Sequence, residues 1–135
     1  MFADPLAYER FMGRWSRLMA PRLVEFAALP EAGNFLDIGC GLGALSLALA
    51  EQAAQRRITG IDQSAECVAY AASLNPFPDR VQFETGDAQQ LRYAEGSFQA
   101  ALSLLVFGYF YPILSGAPLT DSQVFHHWMW IGSWR

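Results

Sequence analysis

At 135 residues the chain fits one domain, long enough to bury a core of its own. Hydrophobic residues make up 53% and charged residues 16%, a balance that excludes a disordered protein. The net charge of −4 gives no electrostatic footprint for duplex nucleic acid or an anionic membrane surface; no nucleic acid is expected as a partner, although a local basic patch would still admit a nucleic-acid substrate.

In chain order, residues 5–29 read as helix in two pieces. Tyr8, Phe11, Met12, Trp15, Leu18 and Met19 recur at helical spacing as one apolar stripe, with Arg10, Arg14 and Arg17 on another face. Pro21 should break or kink this run, or open a second helix. Phe35 to Ile38 reads as a buried strand, followed by Asp37-Ile38-Gly39-Cys40-Gly41-Leu42-Gly43 and a run of strong helix formers from Ala44 to about Gln55. A second strand, Ile58 to Asp62, ends in an acid. Ser64 is placed to cap a helix through about Leu74, and Glu66 in its first turn suits the dipole. Val81 to Thr85 alternates like a third strand and stops at Gly86-Asp87-Ala88. Phe98 to Val106 reads as a fourth strand with little alternation. Continuous apolar strands separated by helices predict an α/β fold, a Rossmann-like doubly wound parallel sheet of about four strands, with N-terminal helices.

Residues 107–135 differ. Phe107, Tyr109, Phe110, Tyr111, Phe125, Trp128, Trp130 and Trp134 crowd this stretch, and only Asp121 and Arg135 are charged. No fifth strand is recognisable. The division expected is therefore a core of residues 1–106 and a divergent aromatic tail of 107–135. Residues 96–120 carry no charge, but Gly108, Pro112, Gly116 and Pro118 interrupt them, so no membrane span is expected. His126 and His127 lack acidic or cysteine company, and Cys40 and Cys67 have no CxxC spacing; no metal site is expected. Both cysteines read as reduced, buried, small apolar side chains. Asp4 stands where a signal peptide would carry positive charge, which makes the cytoplasm the expected location.

The chemistry concentrates around the glycines. A strand that turns through Gly39, Gly41 and Gly43 into a helix leaves room for a ligand against bare backbone, with a positive helix N-terminus nearby. Gly39-x-Gly41-x-x-Ala44, with Asp62 about 20 residues on, formally satisfies a dinucleotide fingerprint. Asp37 and Asp87 shift the balance. In a doubly wound sheet the ends of the first three strands line one crevice, so three carboxylates would meet there. Two phosphates would be repelled; a ligand with a cationic centre, a diol and an exocyclic amine would be welcome, and S-adenosylmethionine has all three.

Residues from about Tyr8 to Val106 resemble the N-terminal two-thirds of a class I S-adenosylmethionine-dependent methyltransferase, of the small-molecule type that includes the ubiquinone and menaquinone biosynthesis enzymes. The resemblance rests on Phe35 to Gly43, on Ile58 to Asp62, and on Gly86-Asp87-Ala88; Phe98 to Ser103 is similar to the family's fourth strand. It implies backbone contact from Gly39, Cys40 and Gly41 to the methionine part, with Asp37 orienting its amino group. Asp62 would accept both ribose hydroxyls and Gln63 would lie beside the adenine. Asp87 would accept from the adenine amine, the Ala88 amide would meet a ring nitrogen, and Leu104 would line the methionine side. The family often has Thr where this chain has Leu42. It also implies that the N-terminal helix lies over the cofactor, near Arg14 or Trp15. No side chain is assigned as a catalytic base.

The resemblance ends where such a fold would continue into a further helix, a fifth strand and a closing strand pair. The chain therefore reads as truncated, or as carrying an unrelated end, with the fourth strand's edge exposed or covered only by the tail. Such an edge invites a homodimer. The leading function is a methyltransferase with a small-molecule acceptor that the sequence does not identify. The alternatives are a non-catalytic S-adenosylmethionine-binding remnant or interaction module, and, below these, an NAD-binding Rossmann protein.

Overall fold

The computed structural model describes residues 4–104, 124–125 and 129–132. At the N-terminus, Asp4 caps a short helix α1 (Pro5–Tyr8): its side chain accepts a hydrogen bond from the Leu6 amide at 2.9 Å, and Pro5 stands in the first turn. A π-helical stretch, Glu9–Gly13, joins α1 to α2 (Arg14–Ala27). Pro21 does not divide the run: α2 continues through it, and the irregular turn lies earlier, at Glu9–Gly13. The helix persists because Ser16, Ala20, Leu23 and Val24 bury one face, the last three within the core shared with α3 (Ala44–Gln52). That packing outweighs the single backbone bond that a proline removes.

Within the N-terminal apolar stripe the described residues divide between surface and core. Trp15 and Leu18 are more than half exposed, while small Ser16 and Ala20 make the close approach one step round the helix. Met19 packs partly against the core. The side chains of Tyr8, Phe11 and Met12 lie outside the described residues.

Strands β1 (Ala32–Ile38), β2 (Gln55–Asp62), β3 (Val81–Thr85) and β4 (Ala100–Leu104) form the parallel part of the sheet, in the order β3-β2-β1-β4. β1 and β2 begin three residues earlier than their apolar runs suggested, because residues Ala32 to Asn34 and Gln55 to Arg57 pair with each other. The central strand β1 is flanked on both sides, and Phe35, Leu36 and Asp37 are essentially inaccessible. Phe35, Leu102 and Leu104 face one cluster with α2 and α3. Leu36, Ile38 and Ala101 face another, covered by Ala88, Leu91, Tyr93 and Phe98. Helix α4 (Ala65–Ser73) follows β2, capped as expected by Ser64, whose hydroxyl accepts from the Cys67 amide at 3.2 Å.

Two further strands extend the sheet beyond β4. β6 (Met129–Gly132) pairs antiparallel along β4, and β5 (Val124–Phe125) pairs with β6. The tail thus supplies strands that the sequence did not reveal, and β6 covers the β4 edge. At two and four residues they are too short for an alternation to show, and their pairing is dictated by the strand they meet. The residue 106/107 boundary lies outside the described residues.

Two arginines hold the far end of α3. Arg56, 5% exposed, donates to the carbonyls of Leu29, Pro30 and Leu49, and its guanidinium lies 5.6 Å from the Phe35 ring centroid. Arg80 donates to Ala50, Ala53 and Arg56 and sits over Phe77. Together they satisfy carbonyls that the last helical turn leaves without partners, with charge of the favourable sign for a helix C-terminus.

Candidate functional site

The site is built at the C-terminal tips of β1, β2 and β3, which the parallel register brings level. Ile38 lies beside Ile61, and Asp62 beside Thr85. Beyond β1 the chain turns through Gly39, Gly41 and Gly43, whose φ angles are 71°, 53° and 90°. Such values are costly for residues bearing a Cβ. At Gly43 a Cβ would also run into the Phe83 ring. The turn is tied to β2 by the Cys40 amide, which donates to the Ile61 carbonyl at 2.8 Å, and opens directly into α3.

Asp37 is the most perturbed group. It is 1% exposed, and its Oδ2 accepts from both the Ser46 hydroxyl (2.7 Å) and the Ser46 amide (3.1 Å). Among the described residues its Oδ1 has no hydrogen-bond partner. Burial raises its pKa from 3.8 to about 7, against the opposing pull of the Ser46 bonds and with a small further push from Asp62. Burial likewise pushes the Cys40 thiol up, and Asp37 and Asp62 add to that, which leaves an inert, protonated side chain.

At the next tip, Asp62 Oδ2 accepts from the Gly41 amide and Oδ1 from the Ser64 amide, both at 2.9 Å. Each oxygen keeps a second lone pair for a ligand. Gln63, on the surface, reaches the third tip, where its side-chain amide lies 3.5 Å from Asp87 Oδ1. Asp87 caps the short 3₁₀ turn Ala88–Gln90 by accepting from the Gln89 amide at 2.8 Å. Ala88 is half-buried against the Leu36 and Ile38 cluster. The Gly41–Asp62 and Gln63–Asp87 contacts therefore run from tip to tip without a break.

A cavity of about 180 Å³ opens at one end of this line. Asp37, Gly39, Cys40 and Leu104 contribute to its wall, whereas Gly41, Asp62, Gln63, Asp87 and Ala88 lie outside it, along the strand tips. Its far side comes from the N-terminal helices and α4, including Glu9, Ser16, Arg17 and Tyr70. Arg14 and Trp15, which the resemblance brought near the cofactor, instead stack on each other at the surface, 5.6 Å apart, and take no part in the wall. Sequence reasoning also missed Ser46. Its signal was available, since a Ser in the first turn after a glycine loop has a hydroxyl free to reach back to the preceding strand. Among the described residues no cluster of His, Cys, Asp and Glu could hold a metal ion, and no helix is long and apolar enough to cross a membrane.

The family described as "Methyltransferase domain" matches residues 35–114, from the core of β1 through β4 and beyond. The chain belongs to that family. Erythromycin 3''-O-methyltransferase of Saccharopolyspora erythraea is 34% identical over 89 residues, 64% of this chain and 29% of that protein. The tRNA1(Val) (adenine(37)-N6)-methyltransferase of Porphyromonas gingivalis is 42% identical over 66 residues, 47% of this chain and 26% of that one. The crystal structure of an S-adenosylmethionine dependent methyltransferase from Mesorhizobium loti superposes with a TM-score of 0.53 at 29% identity, covering 62% of this chain and 38% of that one. The chain thus spans roughly a quarter to two-fifths of the length of these relatives. The family is that of the S-adenosylmethionine-dependent methyltransferases, which sets aside the NAD-binding reading.

Proposed function

We propose that this chain binds S-adenosylmethionine across the three strand tips and serves methyl transfer to a small-molecule acceptor. The observation that carries the reading is Asp37: a buried carboxylate in the cavity wall with one oxygen unpartnered among the described residues, beside a glycine turn and in line with two more strand-end acids. A buried acid raised toward neutrality is stabilised most by a cation placed against it, and the ligand's ammonium is that cation. The residues present fit the cofactor.

Asp37 would hold the ammonium, with Gly39, Cys40 and Gly41 giving backbone contact to the methionine part and Leu104 lining its far side. Asp62 would accept the ribose hydroxyls on its remaining lone pairs, with Gln63 next to the adenine. Asp87 would accept from the exocyclic amine, and the Ala88 amide would donate to the ring. Bound there, the sulfonium supplies an electrophilic methyl group. The chain's part is to fix that group in line with an acceptor atom, a task of proximity and orientation. No proton-transfer residue is assigned. Residues 1–106 would form the cofactor-binding core and 107–135 an appended tail.

A small acceptor is favoured over nucleic acid by the net charge of −4. The erythromycin-modifying relative agrees with that choice, and the tRNA-modifying one marks the competing outcome. Calorimetry with S-adenosylhomocysteine and NAD tests the cofactor. One-to-one binding of the first and none of the second is expected, and the reverse would defeat the reading. Turnover of labelled methyl groups into small acceptors then separates an enzyme from a non-catalytic remnant.

A further inference from the structure

We propose that Glu9 is a built-in competitor for the ligand's carboxylate: it holds Arg17 and must release it when an amino-acid-bearing nucleoside enters. This rests on the cofactor reading above and adds to it a residue pair and a gate.

The argument starts from charge. An α-amino acid end carries both an ammonium and a carboxylate. Asp37 offers the cavity a partner for the first. Among the described residues Arg17 is the cationic side chain in the cavity wall, and it forms an ion pair with Glu9, which lines the same wall. Eight residues separate the two, about 12 Å along a straight helix, so they meet only by reaching toward each other. Gly13 clears the path, since a Cβ there would collide with the Glu9 carboxylate. A carboxylate folded over bare backbone onto a guanidinium in the wall of the cavity has the chemistry of the group that would replace it. Glu9 and Arg17 are 31% and 58% exposed at their side chains. The pair is therefore screened and weak enough to exchange.

The exchange makes Arg17 a specificity residue and Glu9 a brake. Glu9→Gln frees Arg17 and should tighten S-adenosylhomocysteine binding by about fivefold, while Arg17→Met should weaken it about tenfold. Neither should change affinity for the decarboxylated amine of the same thioether, which keeps the ammonium and lacks the carboxylate. In the double variant the Glu9→Gln gain should vanish, because there is no guanidinium left to release. Arg17→Lys and a melting curve for each variant guard against loss of fold.

The test is calorimetry with both ligands on wild type and the variants. Wild type that binds while Glu9→Gln gains nothing overturns the gate alone. Equal losses for the two ligands in Arg17→Met overturn it as well, since a structural role would act on both. A wild-type chain that binds neither ligand overturns the cofactor reading, and the gate with it.

Discussion

Replacing Asp37 with Asn should flatten much of the dependence of stability on pH. In the folded protein burial raises this carboxyl from 3.8 to about 7. Between those values the folded state keeps a proton that the unfolded chain gives up. The folded state therefore binds more protons, and stability falls as pH rises through the interval. The shift of about three pH units corresponds to about 4 kcal/mol, fully available below pH 4 and gone by about pH 8. That is a large part of the 5–15 kcal/mol typical of a domain. The carboxamide in Asp37→Asn has no titrating proton, and its oxygen can still accept from Ser46. Urea denaturation of both proteins at pH 5 and pH 8 should show wild type losing about 2–3 kcal/mol more than Asp37→Asn across that range, with the variant the more stable of the two at pH 8. Parallel pH profiles would rule out burial of this carboxyl as the source of the effect. Ligand binding should run the other way. An ammonium needs the ionised carboxylate, so wild-type affinity for S-adenosylhomocysteine should weaken below pH 7, and Asp37→Asn should lose both that dependence and much of the affinity.

Three further outcomes follow from the geometry. Asp62→Ala should weaken S-adenosylhomocysteine binding by about 2–3 kcal/mol, since two charge-assisted hydrogen bonds to a diol go together, and an unchanged dissociation constant would count against that assignment. Gly43→Ala should destabilise the fold by about 1–3 kcal/mol, because φ is 90° there and the added methyl meets the Phe83 ring; urea denaturation reads this, and wild-type stability would contradict it. Arg56→Leu should cost about 3 kcal/mol through the stranded carbonyls of Leu29, Pro30 and Leu49, again by denaturation, with a loss under about 1 kcal/mol arguing against the capping role.

The parts of this molecule that local chemistry dictates were legible in its residues. Three alternating glycines between an apolar run and a helix former, with acids ending two later strands, describe the tips of a parallel sheet; β1 to β4 and the Ser64 cap lie where that pattern puts them. What distant elements bring together was not legible. Glu9, Arg17 and Tyr70 reach the cavity through packing of the N-terminal helices and α4, and nothing in their immediate neighbours marks them. Periodicity grouped Trp15, Leu18 and Met19 into one stripe but did not say which of them is buried. Close approach favoured the small side chains of Ser16 and Ala20 instead. Pro21 was overruled by the same packing. Strands as short as β5 and β6 leave no pattern to read, and their partner strand alone specifies them.

Amide chemical shifts recorded with and without S-adenosylhomocysteine ask whether one ligand bridges all three strand tips. Saturable changes should gather in three separate stretches, Gly39 to Gly43, Asp62 to Ser64 and Gly86 to Gln89, titrating together with one dissociation constant. Changes confined to a single stretch, or scattered over surfaces away from the strand ends, would show that the tips share no ligand.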